Sequence, residues 1–175
     1  MIPYRDPLTG LPNQVFFEAR LVEAIRWARS THAGLALLYL DLDRFKDVNE
    51  MLGQGASDLL LCQAASRMSR VLSTRQVLAR LADDEFGVLL EGAGGLVDAA
   101  EVARRLLDQC REPYLVDCIQ VRLTASIGIS LYPSDAEDSA TLVKRADSAM
   151  FRAKIAGRNR SHPPCDIAAS PHKRR

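Results

Sequence analysis

The segment Leu35-Ala36-Leu37-Leu38-Tyr39-Leu40 constrains the fold more than any other part of this chain, because a nearly unbroken apolar run then ends in Asp41-Leu42-Asp43. A short apolar run of that kind suits a strand buried on both faces of a sheet. Such strands do not ordinarily finish in acids. Side chains alternate across a strand, so Asp41 and Asp43 share a face if the extended geometry persists, and their edge of the sheet can meet acids from elsewhere.

A second acidic group lies in Arg80-Leu81-Ala82-Asp83-Asp84-Glu85-Phe86. Upstream, Val77, Ala79 and Leu81 alternate with more polar neighbours; downstream, Phe86-Gly87-Val88-Leu89-Leu90 is a short apolar run. The three acids therefore fall in the loop of a hairpin. Alone they read as solvated turn formers. Beside Asp41 and Asp43 they become oxygen donors from a separate segment, which suits Mg²⁺ or Mn²⁺. These ions take a few carboxylates and fill their remaining positions with water and substrate phosphates. Metal-dependent nucleotidyl transfer has this arrangement, and it also needs cations to hold the leaving pyrophosphate. Over residues 146–159, Lys154 and Arg158 are four apart and share a face if the helix reaches that far. Gly157 can instead end the helix and leave Arg158 just past it. Basic residues there also suit a helix C-terminus.

The remaining pattern is an α/β order with a central antiparallel sheet. Helices are predicted over 13–30, from Phe45, over 56–72, 97–110 and 140–156; strands are predicted over 35–40 and around 114–116 and 121–129. A length of 175 residues with 47% hydrophobic and 26% charged content is compatible with one compact core, and a net charge of +1 implies no nucleic-acid partner. No apolar stretch is suited to span a bilayer, and the Met1 end has neither a basic nor an apolar leader region. Cys62, Cys110, Cys118 and Cys165 lack Cys-x-x-Cys spacing, so buried free thiols are expected rather than zinc or disulfides. Met51, Met68 and Met150 are expected in the core, Trp27 at the margin of the first helix, and His32 in a surface loop. Residues 1–160 read as one domain. Residues 161–175, with Pro163-Pro164 and Lys173-Arg174-Arg175, read as a flexible tail or linker.

On these residues the chain resembles the GGDEF domain of diguanylate cyclases, which condense two GTP molecules into cyclic di-GMP. The likeness runs from about residue 6 to residue 159. It rests on five segments in the family's order: Asp6-Pro7-Leu8-Thr9-Gly10-Leu11-Pro12-Asn13; Asp41-Leu42-Asp43-Arg44-Phe45-Lys46-Asp47-Val48-Asn49; the signature at residues 82–86; Thr124-Ala125-Ser126-Ile127-Gly128-Ile129; and residues 146–159. The resemblance implies a mostly antiparallel central sheet flanked by helices, the palm-like fold of nucleotide cyclases. It implies that Asp41, the backbone carbonyl of Leu42 and Asp84 hold the metal, and that Asp84 and Glu85 are the catalytic signature acids. Asn49 and Asp58 map to the guanine contacts, since an amide and a carboxylate can read the base's Watson–Crick edge. Lys154 and Arg158 map to the β- and γ-phosphate contacts.

Departures from the family pattern bear on activity. Both signature glycines are replaced, by Ala82 and Asp83; Gln54 stands for the usual His and Ser57 for the usual Gly. Glycine permits positive φ and close approach of the backbone to a ligand. The Asp83 carboxylate repels a triphosphate: at about 6 Å and an effective dielectric near 20 the penalty is roughly 3 kcal/mol, or about two decades of affinity. The Arg-x-x-Asp of the family's product-inhibition site reads Ser73-Thr74-Arg75-Gln76 here, so that site is expected to be absent. The reading that follows is a degenerate GGDEF domain in the cytoplasm, binding GTP and Mg²⁺ with little or no cyclase activity and acting as a regulatory module. Tyr132-Pro133-Ser134-Asp135 resembles hybrids with a fused EAL phosphodiesterase domain. The alternatives are an active diguanylate cyclase, whose reaction needs a homodimer to bring two GTP molecules together, and a structural module that binds no nucleotide.

Overall fold

The computed structural model describes residues 4–164. Its elements are α1 (Gln14–Thr31), β1 (Leu35–Leu42), α2 (Phe45–Leu52), α3 (Gln54–Val71), β2 (Gln76–Arg80), β3 (Glu85–Glu91), α4 (Leu96–Arg111), β4 (Tyr114–Val116), β5 (Ile119–Val121), β6 (Ala125–Tyr132), α5 (Ser139–Ile155) and β7 (Arg160–His162). The apolar run is the central strand of a five-stranded sheet in the order β2-β3-β1-β6-β7; β4 and β5 form a separate hairpin. Pairings within the large sheet are antiparallel except β6 with β7, so the predicted α/β fold with a mostly antiparallel sheet is the one observed.

Alternation along β1 divides the core in two. Ala36, Leu38, Leu40 and Leu42 face α3 and α4 in one apolar cluster, whereas Leu35 and Leu37 face α1 and α5 in another. Burial on both faces explains why the strand shows no apolar–polar alternation. Helix starts follow from local chemistry: Asn13 Oδ1 accepts from the Phe16 N–H at 3.0 Å, and Asp138 Oδ1 accepts from the Thr141 N–H at 2.8 Å. Gly53, at φ 82°, makes the corner between α2 and α3. At Gly128 the backbone of α5 lies so close to β6 that a Cβ would run into the Ala146 carbonyl and the Met150 N–H. That contact fixes the height of α5 above the sheet.

Several expectations need correction. The run over 121–129 is two strands, because residues 122–124 leave the small hairpin before β6 joins the large sheet. Met51 is 80% exposed instead of buried, since it falls on the outer face of α2; Met68 and Met150 are in the core, and Trp27 is half-exposed. Cys110 is buried and Cys62 partly so, but Cys118 is exposed at the tip of the β4–β5 hairpin. The expected boundary at 160 falls inside β7, whose register pairs Ser161 with Ile127 and His162 with Gly128. That short parallel strand carries too few residues for a period to be read. Cys165 and the Lys173-Arg174-Arg175 end lie outside the described residues. His32 is exposed, capping α1 in a left-handed conformation.

Candidate functional site

The ends of β1 and of the β2–β3 hairpin meet at one corner of the sheet. Asp41 is directly opposite Glu85 in the antiparallel register, so the two side chains share a face. The Leu42 N–H donates to the Asp84 carbonyl at 3.2 Å, and the Leu42 side chain is buried in the core, which leaves its backbone as its contribution to the site. Asp84 lies in the bend just before β3 and lines a different cleft from Glu85.

The first cleft, of about 480 Å³, is lined by Asn49, Gln54, Ser57, Asp58, Asp83 and Asp84, with Lys46 and Arg80 as its cations. Asn49 and Asp58 come from α2 and α3, brought side by side by the corner at Gly53. Ser57 is 2% exposed, and its hydroxyl lies 3.1 Å from Asn49 Oδ1 and 2.9 Å from the Gly53 carbonyl. One proton serves these two acceptors; donated to Asn49, it fixes the amide with its N–H groups free for a ligand. In that state the Ser57 hydroxyl orients the Asn49 side chain.

The second cleft, of about 590 Å³, lies under α5 and is lined by Asp41, Glu85, Asp147, Phe151, Arg152 and Lys154. Lys154 Nζ is 2.7 Å from Asp41 Oδ1. Tyr39 donates its hydroxyl to Glu85 Oε2 at 2.7 Å, two residues along β1 from Asp41. Burial pushes the Asp41 carboxyl up to about 6 against the pull of Lys154, with the Asp84 charge pushing the same way as burial. Asp84 and Asp147 are likewise raised, first by burial; Lys154 opposes both shifts. Desolvated carboxylates of like charge at one corner favour a cation between them, and hard oxygen donors suit Mg²⁺ or Mn²⁺. No group of three or more acidic, His or Cys side chains is gathered for a metal among the described residues, so an ion here would rest on two carboxylates, Asp41 and Asp84, with the Leu42 backbone beside them and water or phosphate oxygens completing its shell.

Two candidates are placed differently from expectation. Asp43 faces neither cleft. It is 4% exposed and accepts from Thr124 Oγ1 at 2.6 Å, Ser126 Oγ at 2.7 Å and the Asn159 N–H at 3.1 Å, because the chain turns immediately after β1 and ends the alternation. Arg158 lies past the end of α5 and lines neither cleft; it is exposed, in a turn where Gly157, Arg158 and Asn159 all have positive φ. The alternative in which Gly157 ends the helix is the one observed.

The sequence over residues 3–160 matches the family described as diguanylate cyclase, GGDEF domain. The chain belongs to the GGDEF family. It is 42% identical over 154 residues to MucR of Pseudomonas aeruginosa, described as a bifunctional diguanylate cyclase and cyclic di-GMP phosphodiesterase, covering 88% of this chain and 22% of that protein. It is 41% identical over 152 residues to the diguanylate cyclase TpbB of the same organism, covering 86% of this chain and 35% of that protein. The solved GGDEF domain of TpbB superimposes with a TM-score of 0.89 at 38% identity, covering 92% of this chain and 94% of that one. The chain therefore spans between about a fifth and a third of these curated relatives.

The tip at residues 81–85 is free of left-handed residues. Neither Ala82 nor Asp83 has positive φ, so the conformation that glycine permits is not used there. The Leu81 and Ala82 N–H groups both point to the Glu85 carbonyl, at 2.8 and 3.4 Å. Arg80 holds the tip from below: its Nε and Nη2 donate to the Asp83 carbonyl at 3.2 and 2.8 Å, and its Nη1 bonds the Asp6 carboxylate at 3.1 and 3.2 Å. Sequence reasoning assigned no role to Arg80, Tyr39 or Asp147. Arg80 immediately precedes the signature and Tyr39 stands at alternate spacing from Asp41, which are signals of position though not of partner.

Proposed function

We propose that this GGDEF domain binds GTP with a divalent cation, makes little or no cyclic di-GMP, and acts as a regulatory module in a longer protein that carries an EAL phosphodiesterase domain. The observation that carries this reading is the composition of the first cleft. Asn49 and Asp58 at one side are suited to a guanine edge, while the exposed Asp83 adds its charge to Asp84 where a triphosphate would lie. Lys46 and Arg80 offset only part of that negative charge. A bound Mg²⁺ would supply charge neutralisation at the α-phosphate. Lys154 would meet the outer phosphates, and Ser57 would hold Asn49 for the base.

Calorimetric titration with GTP, with and without Mg²⁺, followed by chromatography of the same mixture, tests the proposal. Metal-dependent binding without product supports it; cyclic di-GMP formed at a rate rising with protein concentration identifies a working cyclase instead, and absence of binding identifies a structural module. A working cyclase is favoured by one observation, the tip free of left-handed residues that keeps Asp84 and Glu85 beside Asp41. In that case two copies must bring two GTP molecules together.

A further inference from the structure

We propose that Lys154 is a resident counter-ion that competes with a divalent cation for Asp41, an inference that rests on the metal and nucleotide reading above. Its ammonium is 2.7 Å from Asp41 Oδ1, and the two side chains are 27% and 9% exposed. Asp41 faces Glu85 across the strand pair, Asp84 is joined through its carbonyl to Leu42, and Asp147 lines the same cleft as Lys154. One ammonium thus occupies the place in which a cation among these acids is stabilised.

A divalent ion bound by Asp41 would lie within a few ångströms of the ammonium on Oδ1. The carboxylate has lone pairs for both, but the two like charges repel at that separation, so the binding of one weakens the hold of the other. The ammonium is the one that can move. The backbone of Lys154 cannot retreat, because α5 rests directly on Gly128 and the neighbouring Ala153 is buried. The side chain can: a four-carbon stem with a compact charge reorients without disturbing the helix, which a planar guanidinium does less readily. Metal binding therefore costs the Asp41 ion pair and leaves the ammonium to a nearby anion. The terminal phosphates of a nucleotide are the anion that the functional reading places there. Metal and nucleotide then bind with positive coupling, since each removes a partner that the other's contacts would have to displace.

The test is a titration of Mn²⁺ without nucleotide, following free Mn²⁺ by electron paramagnetic resonance, on the wild-type domain and on Lys154→Met and Lys154→Gln. Thermal melts confirm that both variants fold, and Asp41→Asn in each background identifies the Asp41-dependent site. Removing the competing charge is expected to tighten Mn²⁺ binding about tenfold, while binding of GTP in the presence of the metal weakens by a similar factor. Equal or weaker Mn²⁺ binding by both variants overturns the proposal, as does the absence of an Asp41-dependent Mn²⁺ site in all three proteins. Tighter Mn²⁺ binding by the variants with no GTP binding by any of them upholds the competition at Asp41 and removes the nucleotide reading instead.

Discussion

Asp83 lines the cleft that also holds Asn49 and Asp58 and is exposed, so its charge bears on an anion that enters. Its backbone is tied to Arg80 through the carbonyl, which a glycine keeps. Asp83→Gly is therefore expected to leave the tip in place and to raise affinity for GTP with Mg²⁺ by about tenfold or more, read by calorimetry. No gain would mean that the charge is screened by solvent or turned away. Asp41 and Asp43 look interchangeable in the motif and are not. Burial raises Asp41 to about 6, so the folded state binds the extra proton between the ordinary value of 3.8 and about 6 and loses stability as pH rises through that window. Asp41→Asn is accordingly expected to raise the melting temperature at pH 8, whereas Asp43→Asn, which leaves three donors short of an anionic acceptor, is expected to lower it. The same Asp41 shift sets a pH dependence for the metal: Mn²⁺ affinity should hold above pH about 6 and fall below it, by up to about tenfold per pH unit. A flat profile from pH 5 to pH 8 would remove Asp41 from the ligand set.

Among the elements, α5 depends on a single small residue for its position. A methyl group at Gly128 would meet backbone atoms of Ala146 and Met150, which have no rotamer to escape into. Gly128→Ala should destabilise by about 3 kcal/mol, seen as a shift in the denaturant midpoint, and should move Lys154 away from Asp41. A substitution tolerated within about 0.5 kcal/mol would mean that the helix slides freely on the sheet. The strongly apolar β1 and the helices with clear apolar faces were legible in the sequence, because burial on one or both sides leaves a pattern. β7 and the break after Val121 were not: β4, equally short, stood out as an apolar run, whereas the polar Arg160-Ser161-His162 owes its place to the strand it pairs with. The turn beyond α5 was legible only as an alternative at Gly157. The bond from the Asn159 N–H to Asp43, which anchors that turn, joins residues 116 apart in sequence, and no local signal reports it.

At the scale of the whole molecule, the resemblance of five separated segments and the observed sheet agree, so fold and family were open to reading from the chain. The division of the site was not. Three consecutive acids look like one cluster in a sequence, yet Asp83 and Asp84, in the bend before β3, line one cleft and Glu85, the first residue of β3, lines the other, while Asp84 stays near enough to Asp41 for its charge to act there. The hairpin tip is thus a party wall. Asp83 and Asp84 belong to the lining of one cleft and Glu85 to that of the other, so an occupant of either would border the same short stretch of chain. Whatever influence the first has on the binding of the second, the second returns in equal measure.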